Sequence, residues 1–238
     1  MKNLYLSLLL ILLAINLNAL PKDYIFQSPD SDSKIPCLII APGAGYHKDL
    51  PLIKNLAEES VKNGFAVITF NWDYFTDGEK ASENYTQEIK NITDLIDFAL
   101  TNSKIDSEQI YVAGKSLGSV LAYRTVSKDE YKDKIAGLIL LTPIFPNEEF
   151  GLQLHQNVKD FNKPTFICVG SNDKANCDLK TLYSIFSESE TTASISVLPG
   201  DHGFNIEPFQ RGVVSEINNQ NIDLAVTNIM QWLINELR

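Results

Sequence analysis

The chain has 238 residues, 44% of them hydrophobic and 21% charged, which suits one large α/β domain with an ample core. Its formal net charge of −10 argues against nucleic-acid binding and against docking on anionic membranes. There is no internal repeat and no low-complexity tract.

Met1-Lys2-Asn3 is a short, weakly basic start, and Leu4 to Ile15 is almost wholly apolar. That run is too short for a comfortable membrane span. Asn16-Leu17-Asn18-Ala19 then leads into Leu20-Pro21. This is the layout of a secretory signal peptide, with cleavage after Ala19. Residues 1–19 are therefore expected to be a signal peptide and residues 20–238 a single exported domain, periplasmic or secreted. An uncleaved anchor is the alternative.

In the remaining chain, short apolar runs alternate with amphipathic stretches. Cys37 to Ile40 predicts a buried strand ending in Ala41-Pro42-Gly43-Ala44-Gly45. Leu52, Ile53, Leu56, Ala57 and Val61 mark one helix face, stopped near Gly64. Phe65 to Phe70 is the next strand, and the polar stretch Asp73 to Glu83 is a loop. Ile89, Ile92, Ile96, Ala99 and Leu100 give a second helix. Ile110 to Ala113 is a strand, and a helix follows from Val120. Ile135 to Phe145 contains another strand, ended by Pro143. Thr165 to Val169 is a strand ending in Gly170-Ser171-Asn172-Asp173. Leu179 to Phe186 is a helix, and Ala193 to Leu198 is the last strand. Pro199-Gly200-Asp201-His202-Gly203-Phe204 comes next, and Ile222 to Leu237 closes the chain as a helix.

Strands that read as continuous apolar runs between helices imply a mostly parallel central sheet covered on both faces. In such sheets ligands bind beyond the carboxyl ends of the strands. Three chemistry-bearing residues fall at those ends. Ser116 lies within Gly114-Lys115-Ser116-Leu117-Gly118, which fits G-x-S-x-G between a strand and a helix. A sharp reversal there exposes the serine hydroxyl and sets the Leu117 amide at a helix N-terminus, facing a developing oxyanion. A phosphate loop is excluded because Gln109 stands where that motif needs glycine. Asp173 and His202 each follow a later strand, so all three residues can meet at one edge.

With the order Ser, Asp, His, the chain resembles an α/β-hydrolase, similar to the small lidless dienelactone-hydrolase-like members, over about residues 34–238. Gly114 to Gly118 matches that family's nucleophile elbow, Gly170 to Asp173 its acid loop, and Gly200 to Phe204 its histidine loop. Pro42-Gly43-Ala44-Gly45 resembles its oxyanion loop, with Pro42 in place of the usual histidine. The resemblance implies Ser116 as nucleophile, His202 as base, Asp173 as acid, and the Ala44 and Leu117 amides as oxyanion hole. Asp178 and Asp201 are rivals for the acid, and His47 and His155 are other candidates to line the cleft.

The function implied is hydrolysis of a small ester, thioester or related acyl bond through an acyl-enzyme. The alternative is a non-catalytic, hydrolase-like binding or scaffold protein, since fold alone does not make an enzyme. The partner expected is a small-molecule acyl substrate, with no nucleic acid and no stable membrane insertion after signal cleavage. Pro146 to Pro164 is too short for a folded cap domain, so the cleft is expected to be open. Cys37, Cys168 and Cys177 form no disulfide framework, and Cys37 and Cys168 read as buried small hydrophobes. The histidines do not cluster with them, so neither a metal site nor a cofactor site is expected. Asn84-Tyr85-Thr86 and Asn91-Ile92-Thr93 fit the glycosylation sequon, with plain surface asparagines as the simpler explanation.

Overall fold

The computed structural model describes residues 20–144, 161–174, 179–187, 191–208 and 215–238. The expected signal peptide lies outside the described residues, as do Asp178, His155, Cys177 and most of the segment between Pro146 and Pro164.

A seven-stranded sheet forms the centre. Its strands are β1 (Asp23–Gln27), β2 (Ile35–Ala41), β3 (Ala66–Asn71), β4 (Ile105–Lys115), β5 (Gly137–Leu141), β6 (Thr165–Gly170) and β7 (Ala193–Leu198). They stand in the order β1-β3-β2-β4-β5-β6-β7. Only the β1–β3 pairing is antiparallel; the others are parallel. The helices are α1 (Pro51–Lys62), α2 (Asp73–Asp77), α3 (Thr86–Thr101), α4 (Leu117–Val126), α5 (Leu179–Ser187) and α6 (Glu216–Glu236).

Both faces of the central strands β2, β3, β5 and β6 are buried because successive strand residues point opposite ways and nearly all are apolar. Cys37 and Ile39 of β2 pack with Ile68, Val112 and the apolar stripes of α3 and α4. Their neighbours Leu38 and Ile40 pack with Val67, Ala113 and the stripes of α1 and α6. Cys37 and Cys168 are free and buried on opposite faces, as expected. Burial pushes both thiols up, Cys168 to about 12, so neither is a nucleophile near neutral pH.

Four differences from the sequence expectations have local causes. β1 lies at the sheet edge with Tyr24, Ile25 and Gln27 exposed, and its polar ends hide the strand pattern. β4 begins at Ile105 because the polar residues 106–109 continue the strand across a register shift opposite Ile35 and Cys37. Within the expected loop after β3, residues 73–77 form the short helix α2, closed by Gly78 at φ 69°. Helix α6 starts before Ile222, at Glu216, where the Ser215 hydroxyl accepts from the Asn218 amide. One sequon is also removed as a surface site: Asn91 is buried and its side-chain amide donates to Asp73 Oδ2 at 2.9 Å.

Leu56 lies at the centre of the α1 contact with the sheet and is fully buried. Replacing it with alanine removes methyl groups that the close-packed layer cannot refill. Leu56→Ala should destabilise the domain by about 2–5 kcal/mol. In urea unfolding this would appear as a lower midpoint with an unchanged slope.

Candidate active site

The strand order creates a crevice between β2 and β4. The chain leaves β2 toward β3 on one side and leaves β4 toward β5 on the other. The loops after β2 and β4 therefore diverge at their carboxyl ends, where α/β sheets hold ligands. Ser116 is the residue immediately after β4, and α4 starts at the next position. Its backbone sits at φ 54° and ψ −118°, a conformation a non-glycine residue holds only when its surroundings over-determine it. Those surroundings are explicit. The Ser116 amide donates to Leu141 O at 2.9 Å, and the Ser116 carbonyl accepts from the Ser119 amide at 3.0 Å. The same carbonyl accepts from Ser119 Oγ at 2.6 Å.

The two glycines of the motif are needed for close approach. A Cβ on Gly114 would lie 2.3 Å from Gly118 O, and one on Gly118 would lie 2.4 Å from Pro42 O. The second contact presses the elbow against the loop that follows β2. That loop is held from its other side by Trp72, whose Nε1 donates to Pro42 O at 3.1 Å and Gly43 O at 3.3 Å. Tyr74 Oη donates to Ala44 O at 2.7 Å. Further along, the Lys48 amide donates to Asn71 Oδ1 at 2.9 Å, and Lys48 Nζ to Asp23 Oδ2 at 2.9 Å. Pro42 thus occupies its place with its carbonyl fixed by an indole. Leu117 is the first residue of α4, so its amide has no acceptor within the helix.

His202 lies on the loop after β7. Its Nε2 is 2.8 Å from Ser116 Oγ, and its Nδ1 is 2.8 Å from Asp173 Oδ2. The Asp173 side chain is fully buried, while that of His202 is about one-third exposed. Asp173 follows β6, and the loops after β6 and β7 are cross-linked. The Ser171 amide donates to Leu198 O at 2.7 Å, and the Asn172 amide to Gly200 O at 2.8 Å.

The rival residues take other partners. Asp201 Oδ1 accepts from the amides of Gly203 and Asn205 at 2.8 and 2.9 Å, and from Asn205 Nδ2 at 2.9 Å. It organises the histidine loop and does not face the imidazole. His47 pairs with Asp49 at 3.6 Å and stacks on Phe75 at 6.0 Å. Asp178 and His155 lie outside the described residues.

Lys115 was not singled out as a site residue by its sequence position. Its Nζ donates to Thr142 Oγ1 at 2.5 Å and to His202 O at 2.7 Å. Burial lowers its pKa to about 8, against the opposing pull of the Asp173 and Asp201 carboxylates. The signal that would have found it is a lysine closing the apolar run Ile110–Ala113 at the elbow. Trp72 and Tyr74, which hold the loop after β2, carry no comparable motif. Among the described residues there is no cluster of histidine, cysteine and carboxylate side chains that would hold a metal ion.

The family model of an alpha/beta hydrolase domain matches residues 34–234. The chain belongs to the alpha/beta hydrolase family. Its seven-stranded, mostly parallel sheet with helices on both faces agrees with that family's fold.

Several solved structures share this alpha/beta hydrolase fold. Est1E from Butyrivibrio proteoclasticus, solved with ferulic acid bound, is 16% identical, with a TM-score of 0.67 over 90% of this chain and 95% of that one. A putative dienelactone hydrolase from Klebsiella pneumoniae is 14% identical, with a TM-score of 0.65 over 89% and 98%. An alpha-beta serine hydrolase homologue from Coxiella burnetii is 16% identical, with a TM-score of 0.63 over 90% and 91%. At these identities the likeness speaks for the fold alone. No curated protein matches this hydrolase.

The contact between Gly118 and the loop after β2 sets a test. Gly118→Ala must push Pro42 O away, and overpacking of this kind costs about 1–3 kcal/mol. A lower thermal midpoint is expected, together with faster exchange of the residue 43–46 amides, read by hydrogen-exchange mass spectrometry.

Proposed function

We propose that this alpha/beta hydrolase is a serine hydrolase that cleaves a small ester, thioester or related acyl bond through an acyl-enzyme. The observation that carries this reading is the chain of two 2.8 Å contacts from Asp173 through His202 to Ser116 Oγ. A hydroxyl is a poor nucleophile until a base takes its proton. His202 Nε2 is within reach of that proton. Asp173, at Nδ1, holds the tautomer that leaves Nε2 free to accept and stabilises the imidazolium that forms.

The reaction runs in two halves. Ser116 Oγ attacks the acyl carbon as His202 takes the proton, and the carbonyl oxygen becomes an oxyanion. The amides of Leu117 and Ala44 receive that charge: Leu117 stands at a helix N-terminus, and Ala44 lies on the loop pressed against the elbow. Collapse of the tetrahedral species expels the alcohol or thiol, which takes the proton from His202. Water then repeats the sequence on the acyl-enzyme, with His202 again acting as base and then as acid.

The acyl specificity proposed is for small groups and a carboxylesterase-like reaction. The segment between β5 and β6, residues 142–164, is too short in sequence for a folded cap domain that would grip a long chain. Export to the periplasm or beyond the cell belongs to the same proposal. It rests on the basic start and the apolar run from Leu4 to Ile15. In an exporting host the mature protein should begin near Leu20 by mass spectrometry, and an intact Met1 on a cytosolic protein would refute export.

The nucleophile is tested with a fluorophosphonate probe, which bonds covalently to an activated serine. Wild type should label and Ser116→Ala should not. His202→Ala should lose several orders of magnitude in rate, and Asp173→Asn a large part of it, with folding intact. Equal labelling of wild type and Ser116→Ala would remove the assignment. An Asp201→Asn or Asp178→Asn variant more impaired than Asp173→Asn would transfer the acid's role.

A further inference from the structure

Lys115 is the charged group that the Ser116–His202–Asp173 relay leaves without a task. It directly precedes Ser116, yet it is only 2% exposed. Among the described residues no carboxylate forms an ion pair with it. Burying an ammonium is costly unless its donors and its charge are both answered. Here the donors are answered by Thr142 Oγ1 at 2.5 Å and His202 O at 2.7 Å. The face of the Tyr46 ring lies 5.6 Å from Nζ, a cation–π distance. The charge is answered at longer range by Asp173 and Asp201.

The position of these partners matters more than their number. Thr142 directly follows β5, is fully buried, and stands at φ 40°. Its amide is itself fixed to Cys168 O at 2.7 Å, so the hydroxyl belongs to the rigid end of the sheet. His202, in contrast, stands on a loop beyond β7, four strands along the sheet order from β2 and three from β4. The loop's own bonds are internal, through Asp201, run to the acid loop, or run to α6, where Asn221 Nδ2 donates to Pro199 O and Phe204 O at 2.7 Å. Among the described residues, the Lys115 bond to His202 O is what joins that loop's backbone to β4, the strand that carries Ser116.

We infer that Lys115 is a positioning residue whose ammonium ties the His202 carbonyl to Thr142 at the end of β5, holding the imidazole against Ser116. The inference rests on the proposed function for its catalytic consequence, though not for the tether itself. A misplacement of about 1 Å at such a relay costs on the order of 100-fold in rate.

The tether also has a pH sense. The titratable groups facing Nζ are Asp173, Asp201, His202 and Tyr46. Burial pushes Tyr46 up to about 12, so it stays neutral as pH rises past neutrality. Lys115 itself loses its proton on passing about 8. Below that pH the bonds to His202 O and Thr142 Oγ1 are charge-assisted; above it they become ordinary amine bonds and weaken. Activity should therefore bend downward on the alkaline side.

The test uses the full chain with Lys115→Met, which keeps length and volume without the charge, and Thr142→Val, which removes one partner. Two measurements are made: exchange of the residue 200–205 amides by mass spectrometry, and kcat and KM on p-nitrophenyl acetate on both sides of about pH 8. In Lys115→Met the loop amides should exchange about tenfold faster. Its kcat should fall by about 10–100-fold with KM nearly unchanged. The wild-type alkaline bend should be missing from its profile. Thr142→Val should shift exchange and kcat in the same direction by less.

Unchanged exchange in Lys115→Met overturns the tether, and so does a variant profile that keeps the wild-type bend. If Lys115→Met does not fold, exchange and kcat in Thr142→Val decide, and wild-type values there overturn the tether. If wild type neither labels with the fluorophosphonate nor turns over esters, the proposed function falls, while loop exchange still decides the tether.

Discussion

A strand buried on both faces has to end, reverse and present a hydroxyl within the space of one residue. That constraint at Ser116 governs the geometry around it. A φ of 54° costs a non-glycine residue about 1–3 kcal/mol, so the conformation must be imposed. It is imposed by β5, which receives the Ser116 amide at Leu141 O, and by Ser119, which donates twice to the Ser116 carbonyl. It is also imposed by the missing side chains at Gly114 and Gly118, which let α4 and the loop after β2 close on the turn. The elbow is thus a product of the sheet's packing as much as of its own five residues.

The other loops take their places from the same sheet. Because β3 and β5 lie on opposite sides of the β2–β4 pair, the chain must leave these two strands in opposite directions. The crevice follows from connectivity and needs no dedicated scaffold. The parallel pairing of β6 with β7 then sets the acid and histidine loops side by side at the same edge. Apolar residues at nearly every position of β2, β3, β5 and β6 require helices on both faces, which leaves polar chemistry to the edge where the strands end.

What the sequence disclosed follows from how each signal arises. The central strands and most helices were legible because burial on two faces or on one stripe leaves a periodic apolar record. β1 left little record, since an edge strand with polar ends resembles loop. α2 was masked by acidic and aromatic residues that look like a polar linker. The positions of Ser116, Asp173 and His202 after strands were readable from the order of apolar runs and glycine-rich turns. Which way Asp201 faces was not readable, because it depends on an internal turn of the loop in which its carboxylate accepts from Gly203 and Asn205. Lys115 escaped notice for a physical reason: a lysine is ordinarily read as solvated, and only the convergence of β4, β5 and the histidine loop encloses this one.

That enclosure bears on the charge balance of the proposed reaction. Asp173 is a fully buried carboxylate, 2.8 Å from His202 Nδ1. In the resting site His202 must be neutral at Nε2 to accept a proton, so the imidazole cannot supply the compensating charge. The Lys115 ammonium can, and it lies near enough to feel the Asp173 charge directly. Resting state and transition state are then matched in net charge. At rest the pair is ammonium and carboxylate. When Ser116 attacks, a cation appears on His202 and an anion on the acyl oxygen, and the sum does not change. A site of low polarity tolerates such a rearrangement far better than the creation of a net charge. In the proposed reaction the buried lysine would serve the relay twice, by holding the histidine's backbone and by placing a positive charge in the same enclosure as the Asp173 carboxylate.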